Sequence, residues 1–303
     1  MHTSVSVAFD GPVSPALTLA PLRRGRTDPC YYDAHDGAIW RTSLMRSGPV
    51  AARLTKSAPD TVDCEAWGDG ATEFAETLPA LLGAYDDSVG FVPTEPTIAA
   101  AHRRVRHLRL GRTDRVLEAL IPAVLEQRVY GKDARRAWRL LVTKYGAPAP
   151  GPAPAHMRVP PPGEVWCRIP SWEFHRANVD PRRARTVVVC AQRADSLERL
   201  GARSPAKARV AMASLPGVGE WTAAETSQRA FGDADALSVG DYHLAKMVGW
   251  SLLGHPIDDP AMVELLEPLR PHRHRAVRLL EVSGLAVLPR FGPRMAIPNL
   301  IEM

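Results

Sequence analysis

Residues 215–246 read LPGVGEWTAAETSQRAFGDADALSVGDYHLAK. The opening, Leu-Pro-Gly-Val-Gly-Glu-Trp-Thr-Ala, sets two glycines in a tight turn directly ahead of a helix. Without a Cβ, Gly217 and Gly219 can take backbone angles closed to other residues and let a phosphate come close to the chain. The first N–H groups of a helix have no partner within it, and the helix dipole favours negative charge there. The turn therefore predicts a grip on a nucleic-acid backbone that is indifferent to base sequence. Gly217, Val218 and Gly219 form it, with Thr222 and Lys246 as further DNA contacts.

Outward from this stretch, residues 96–303 read as mainly helical. Segments 97–108, 114–129 and 132–145 place apolar residues three and four apart, with Asp114 as a predicted N-cap and Gly146 as a predicted stop. Residues 146–163, GAPAPGPAPAHMRVPPPG, form a predicted loop, because each proline fixes φ and removes a donor. Short helices resume at 170–176, 181–191, 196–200 and 205–214. The N-terminal third differs: 38–45, 49–57 and 61–67 read as strands separated by Gly, Pro and Asp. Residues 72–85 read as a helix, despite Pro79, covering one face of a small antiparallel sheet. The predicted fold class is α+β, with an N-terminal α+β domain at 1–95 and a helical domain at 96–303.

The chain has 303 residues, 45% hydrophobic and 23% charged, which excludes disordered and collagen-like chains. No apolar run approaches a membrane span, and the start MHTSVSVAFDGPVSP has neither a basic nor an apolar leader region, so a cytoplasmic protein is expected. Cys30, Cys64, Cys167 and Cys190 form no C-x-x-C pair, which signals neither a disulfide framework nor a thiolate zinc site. Residues 1–95 carry 7 Lys and Arg against 13 Asp and Glu, and residues 96–303 carry 31 against 20. The basic part is the one expected to meet a polyanion.

LPGVGEWTA followed by Val-Gly-Asp-Tyr-His-Leu-Ala-Lys resembles the helix-hairpin-helix DNA glycosylase superfamily, and within it the 3-methyladenine DNA glycosylase II family. The resemblance covers most of 96–285, and an aspartate twenty positions after Trp221 makes it specific. It implies two interleaved helical lobes with the hairpin and a base pocket at the cleft between them, and Asp241 as the catalytic carboxylate. Asp241 equally suits the start of the helix at 243–253. Breaking an N-glycosidic bond builds positive charge on the deoxyribose, which a fixed anion in a water-poor pocket stabilises in the transition state. The same group can orient or deprotonate the attacking water. A base inside the stack is out of reach and must first be flipped out.

In bifunctional members such as endonuclease III a lysine at the hairpin attacks the sugar. Trp221 stands there in this chain, which implies a monofunctional hydrolase without lyase activity. Such members also often carry an iron-sulfur cluster on four cysteines near the C-terminus, and no cysteine follows Cys190, so no cofactor is expected. The resemblance also suggests Na+ or K+ at the carbonyls of Ala213, Leu215 and Val218.

By the same resemblance, ALIPAVLEQRVY at 119–130 puts Gln127 beside the extruded nucleotide and Arg128 where a residue wedges into the vacated stack. Trp221 forms a pocket wall and Trp172 its mouth. Glu225 and Glu281 fall where aromatics would hold a cationic alkylated base, in reach of Arg229 and Arg278. His272 and His274 are expected near phosphates. The implied partner is duplex DNA carrying a damaged purine, alkylated such as 3-methyladenine or deaminated such as hypoxanthine, met by a monomer. The competing expectation is a non-catalytic protein that keeps the hairpin to read lesions.

Overall fold

The structure, a computed structural model, describes residues 1–289. Five antiparallel strands form the N-terminal sheet: β1 (His2–Ala8), β2 (Tyr31–Asp33), β3 (Ile39–Met45), β4 (Gly48–Ala58) and β5 (Thr61–Trp67), in the order β1-β5-β4-β3-β2. The last three match the predicted strands to within a residue. β1 and β2 were not foreseen. β1 pairs with β5 from His2↔Trp67 to Ala8↔Thr61, and it alternates between exposed and half-buried positions as an edge strand does. After α1 (Pro15–Leu19), whose Ser14 side chain caps Leu17 N, α2 (Ala71–Leu81) lays Phe74 and Leu78 onto Val50, Leu54, Val62 and Cys64.

The rest is helical, as the mixed α+β expectation requires: α3 (Pro96–Arg104), α4 (Val116–Leu125), α5 (Gly131–Tyr145), α6 (Gly163–Arg168), α7 (Ser171–Arg176), α8 (Pro181–Ala191), α9 (Ala194–Glu198), α10 (Pro205–Ala213), α11 (Glu220–Phe231), α12 (Leu244–Leu252), α13 (Asp259–Leu266) and α14 (Arg273–Ser283). Two apolar cores divide them. One gathers α4 to α11 around Leu120, Trp166 and Phe174. The other joins α3 to α12, α13 and α14 around Ile98, Val248 and Leu280. The chain thus leaves the second core after α3, builds the first, and returns.

Two helix ends, at Asp114 and Gly146, are set by tertiary contacts, and only the first departs from expectation. Asp114 does not cap α4: it sits at φ 51°, and the first N–H groups of the helix, on Val116 and Leu117, donate to the two oxygens of Glu198 at 3.1 and 3.0 Å. A carboxylate from α9 thus does what a local N-cap would do. Gly146 ends α5, but in extended backbone (φ −76°, ψ 152°) and not in the left-handed region. A Cβ there would lie 2.5 Å from the Val159 carbonyl and 2.6 Å from that of Val142, so close approach selects the glycine.

The proline-rich loop is anchored. Ala147–Pro148 and Arg158–Val159 pair as short strands, Arg158 N donates to Pro29 O, and Thr42 Oγ1 donates to Arg158 O at 2.6 Å. Two buried ion pairs also tie the sheet to α4: Arg41 with Glu118, and Arg24 with Glu126, where both oxygens accept at 3.1 Å. Buried pairs of this kind add little net stability, but breaking one strands a charge, so they fix the docking of the two units. No helix among the described residues is long and apolar enough to cross a membrane.

Candidate active site

The segment 214–219 links α10 to α11. Gly217 has φ 86°, and a Cβ there would meet Thr186 Oγ1 at 2.1 Å, so both conformation and space demand glycine. Gly219 is different. Its φ is −95° and open space surrounds it; it leaves the N-terminus of α11 without a side-chain cap. Its value is access to bare N–H groups, not backbone freedom. Val218 is buried and its N–H donates to Leu215 O at 3.0 Å, so neither its side chain nor its amide faces a phosphate, contrary to expectation. Thr222, also expected at DNA, is buried and its Oγ1 accepts from Gln127 Nε2 at 2.8 Å.

Gln127 itself does not line a pocket. Its amide donates to Gly217 O at 2.9 Å as well as to Thr222, so it pins the hairpin to the end of α4. That end is itself held: Arg183 Nη1 donates to Leu125 O at 2.7 Å and Arg24 grips Glu126. The next residue, Arg128, is exposed and adopts φ 52°, a conformation that costs an L-residue about 1–2 kcal/mol. It makes no hydrogen bond or ion pair among the described residues. Arg128 is thus a strained, exposed arginine beside the hairpin.

Asp241 stands just ahead of α12. Its Oδ1 accepts from the N–H groups of His243 at 2.8 Å and Leu244 at 3.0 Å, the first turn of the helix, and its Oδ2 accepts from Trp221 Nε1 at 3.1 Å. The expectation that Asp241 suits the start of this helix is thus met. Trp221 turns its indole N–H on Asp241 and is not among the residues lining the cavity, so its part is to orient the carboxylate.

Asp241 opens on a cavity of about 390 Å³, the size class of small-molecule sites. Four parts of the chain wall it: Leu17 to Leu22 near α1, the segment 108–111, the stretch from α11 through α12, and α14 with Leu288 beyond it. Glu225 and Glu281 both line it, each beside an arginine. Glu225 accepts from Arg229 Nη1 at 2.8 Å and from the Ser238 hydroxyl, while Arg278 binds Glu281. Burial pushes the Glu225 carboxyl up, yet Arg229, Ser238 and Arg24 outweigh it and hold the group below the usual glutamate range. Arg229 also donates to Pro21 O at 3.0 Å, which binds the N-terminal unit to this wall.

Sequence reasoning missed His274. It was expected at phosphates, but the second residue of α14 faces inward, is buried, and lines the cavity. Burial, with Arg278, Arg229 and Arg275 nearby, drives its pKa well below the ordinary value, so the ring is neutral. The apolar spacing of α14 was the only available signal, since 274 shares a face with Val277. Trp172, expected at the pocket mouth, is 62% exposed on α7 and does not line the cavity beside Asp241. Lys246 is exposed with Nζ 4.4 Å from the Tyr242 ring centre. No group of three or more His, Cys, Asp and Glu that could hold a metal occurs among the described residues.

No family model matches the chain. A curated protein of Mycobacterium tuberculosis, described as a probable bifunctional transcriptional activator/DNA repair enzyme AlkA, is 30% identical over 263 residues, covering 82% of this chain and 50% of that protein. The chain thus spans about half the length of the curated relatives it matches. Among solved structures, the 3-methyladenine DNA-glycosylase from Archaeoglobus fulgidus superposes with a TM-score of 0.79 at 16% identity, covering 92% of this chain and 98% of that one. The apo 8-oxoguanine glycosylase/lyase of Clostridium acetobutylicum gives 0.70 at 14% identity, covering 93% and 97%. At these identities the likeness concerns the fold.

Proposed function

The chain belongs to the helix-hairpin-helix DNA glycosylases, in the 3-methyladenine DNA glycosylase II family, and on that premise we propose that it excises damaged purines from duplex DNA in base excision repair. The reaction is hydrolysis of the N-glycosidic bond, on an alkylated base such as 3-methyladenine or a deaminated one such as hypoxanthine. The enzyme works as a monomer in the cytoplasm, associated with the nucleoid when bound to DNA. The observation that carries this reading is the Asp241 carboxylate, oriented by two backbone N–H groups and an indole N–H at the edge of a cavity of about 390 Å³.

In this mechanism the bare start of α11 binds a phosphate and Arg128 fills the gap that the flipped nucleotide leaves. As the bond from C1′ to the base breaks, its electron pair leaves with the base. Asp241 stabilises the cationic sugar, and water adds to C1′, its proton passing to the carboxylate or to solvent. With tryptophan at 221 there is no amine to form a Schiff base, so borohydride is expected to trap no covalent complex. A monovalent ion at the carbonyls of Ala213, Leu215 and Val218 belongs to the same proposal. Leu215 O accepts the Val218 N–H and keeps a second lone pair for such an ion.

The test is Asp241→Asn. Base release from labelled lesion duplexes should fall by about 10²–10³-fold or more, the range for losing one electrostatic group at a reacting centre. Affinity for the same duplex should stay within about twofold, since phosphate contacts dominate it. Unchanged release would sink the proposal in favour of a protein that reads lesions without cleaving them.

A further inference from the structure

The walls of the cavity beside Asp241 are unusual for a site that would hold a cationic base. No Phe, Tyr or Trp side chain lines it among the described residues, so no π face is offered to a positive ring. Its acids are already neutralised: Glu225 lies in the grip of Arg229 and Ser238, and Glu281 is bound by Arg278. A third arginine, Arg109, also reaches the wall. Asp241, at the edge, serves the sugar. No anion is left over to attract a charged purine.

Two polar groups in this wall make no hydrogen bond among the described residues. The imidazole of His274 is buried, lines the cavity, and makes no hydrogen bond to any described residue. Within the described residues the ring thus keeps its hydrogen-bonding capacity free for whatever enters the cavity. Thr18, on the α1 side of the same cavity, likewise has a buried hydroxyl with no partner.

We propose that His274 is a specificity-determining residue that donates a hydrogen bond to an exocyclic carbonyl of the flipped base, and that the cavity is built for neutral oxopurines rather than cationic alkylpurines. The assignment rests on the glycosylase reading above and narrows it. An imidazole N–H meets a carbonyl oxygen well, whereas a methylated, positively charged purine would lie among arginines with no aromatic ring to stack on. A site built to hydrogen-bond its substrate also rejects analogues that leave its polar groups unpaired.

Base release by the full chain would be measured on duplexes carrying hypoxanthine, 8-oxoguanine, 7-methylguanine or 3-methyladenine. At least one neutral oxopurine should be released about tenfold or more faster than 7-methylguanine, and His274→Leu should reduce that rate by about tenfold, the effect of one hydrogen bond. His274→Gln, which keeps an N–H donor, should retain most of the activity. Both variants should bind a duplex with a tetrahydrofuran abasic-site analogue as the parent does, which establishes that they are folded. Should His274→Leu fail that binding test, His274→Gln alone decides, by preserving or losing the oxopurine preference. Release of 7-methylguanine as fast as the neutral oxopurines, or a loss on 3-methyladenine, which has no exocyclic carbonyl, equal to that on the oxopurines in a variant that binds normally, overturns this assignment alone. Release of no base from any duplex by the parent protein overturns the glycosylase reading and this one together.

Discussion

The hairpin can be tested through its tightest contact, by Gly217→Ala. Alanine at φ 86° carries the left-handed penalty of about 1–2 kcal/mol. Its Cβ would also lie 2.1 Å from Thr186 Oγ1, 2.9 Å from Cγ2 and 3.0 Å from Cβ. Thr186 is buried and its hydroxyl donates to Arg182 O at 3.0 Å; being β-branched, it has few other rotamers, and turning away gives up that bond, about 1 kcal/mol. The single substitution should therefore destabilise the protein by about 2–3 kcal/mol in urea unfolding, and weaken binding to an abasic-analogue duplex. Thr186→Ala removes the two nearest atoms and leaves only Cβ at 3.0 Å. The double variant should then be about 1 kcal/mol more stable than the sum of the singles predicts. Strict additivity, or a Gly217→Ala protein with the parental urea midpoint, would refute the claim that contact with α8 shapes the turn.

Other expectations follow from single contacts. Arg128→Gly should raise the free energy of unfolding by about 1 kcal/mol by relieving a left-handed residue, yet slow base release; parallel loss of both in urea and glycosylase assays would remove Arg128 from the wedge role. Glu198→Ala frees two N–H groups at the start of α4 and should lower stability by about 1–2 kcal/mol, read from the urea midpoint. Glu225→Gln leaves Arg229 largely buried without its counter-charge, at a cost of about 3–5 kcal/mol. Because the Glu225 carboxyl is held below its ordinary range, its contribution is present above the unfolded glutamate value near 4.5 and fades as pH falls through the lower folded value. For His274 the sign is also fixed: its folded pKa lies below the unfolded value near 6.5, so the unfolded chain takes up the proton first and stability drops as pH falls below that value. Milder shifts in the same direction at His102 and His272 add to this slope. Unfolding free energies at pH 5 and pH 7.5 should show that slope, and His274→Leu should reduce it.

Much of this site was legible along the chain. The turn at 215–219 announces itself because glycine spacing and a following helix are local properties, whereas Asp241 is singled out by the family resemblance, since a carboxylate before a helix is common to many caps. Strands β3, β4 and β5 were readable from their Gly, Pro and Asp boundaries. What escaped was decided by distant partners. The start of α4 is capped by Glu198, more than eighty residues on, and no local pattern reports that. Gln127 and Thr222 looked like DNA contacts, yet they spend their polar atoms on each other and on Gly217. His274 sat in a basic run, PHRHR, whose charge suggested phosphate, while helical phase turned that one residue inward. β1, with alternation among small polar residues, offers little contrast for a pattern to detect.

One wall of the base cavity comes from the short stretch around α1, which carries neither the phosphate grip nor the carboxylate. On the proposed function, the carboxylate and the hairpin lie outside this stretch and part of the lesion template lies within it, with Arg229 reaching Pro21 among the contacts that join them. If the chain acts as proposed, amino-acid changes at 17–22 would retune which damaged base is accepted while the bond-breaking apparatus stays untouched, giving this scaffold a separate dial for selectivity.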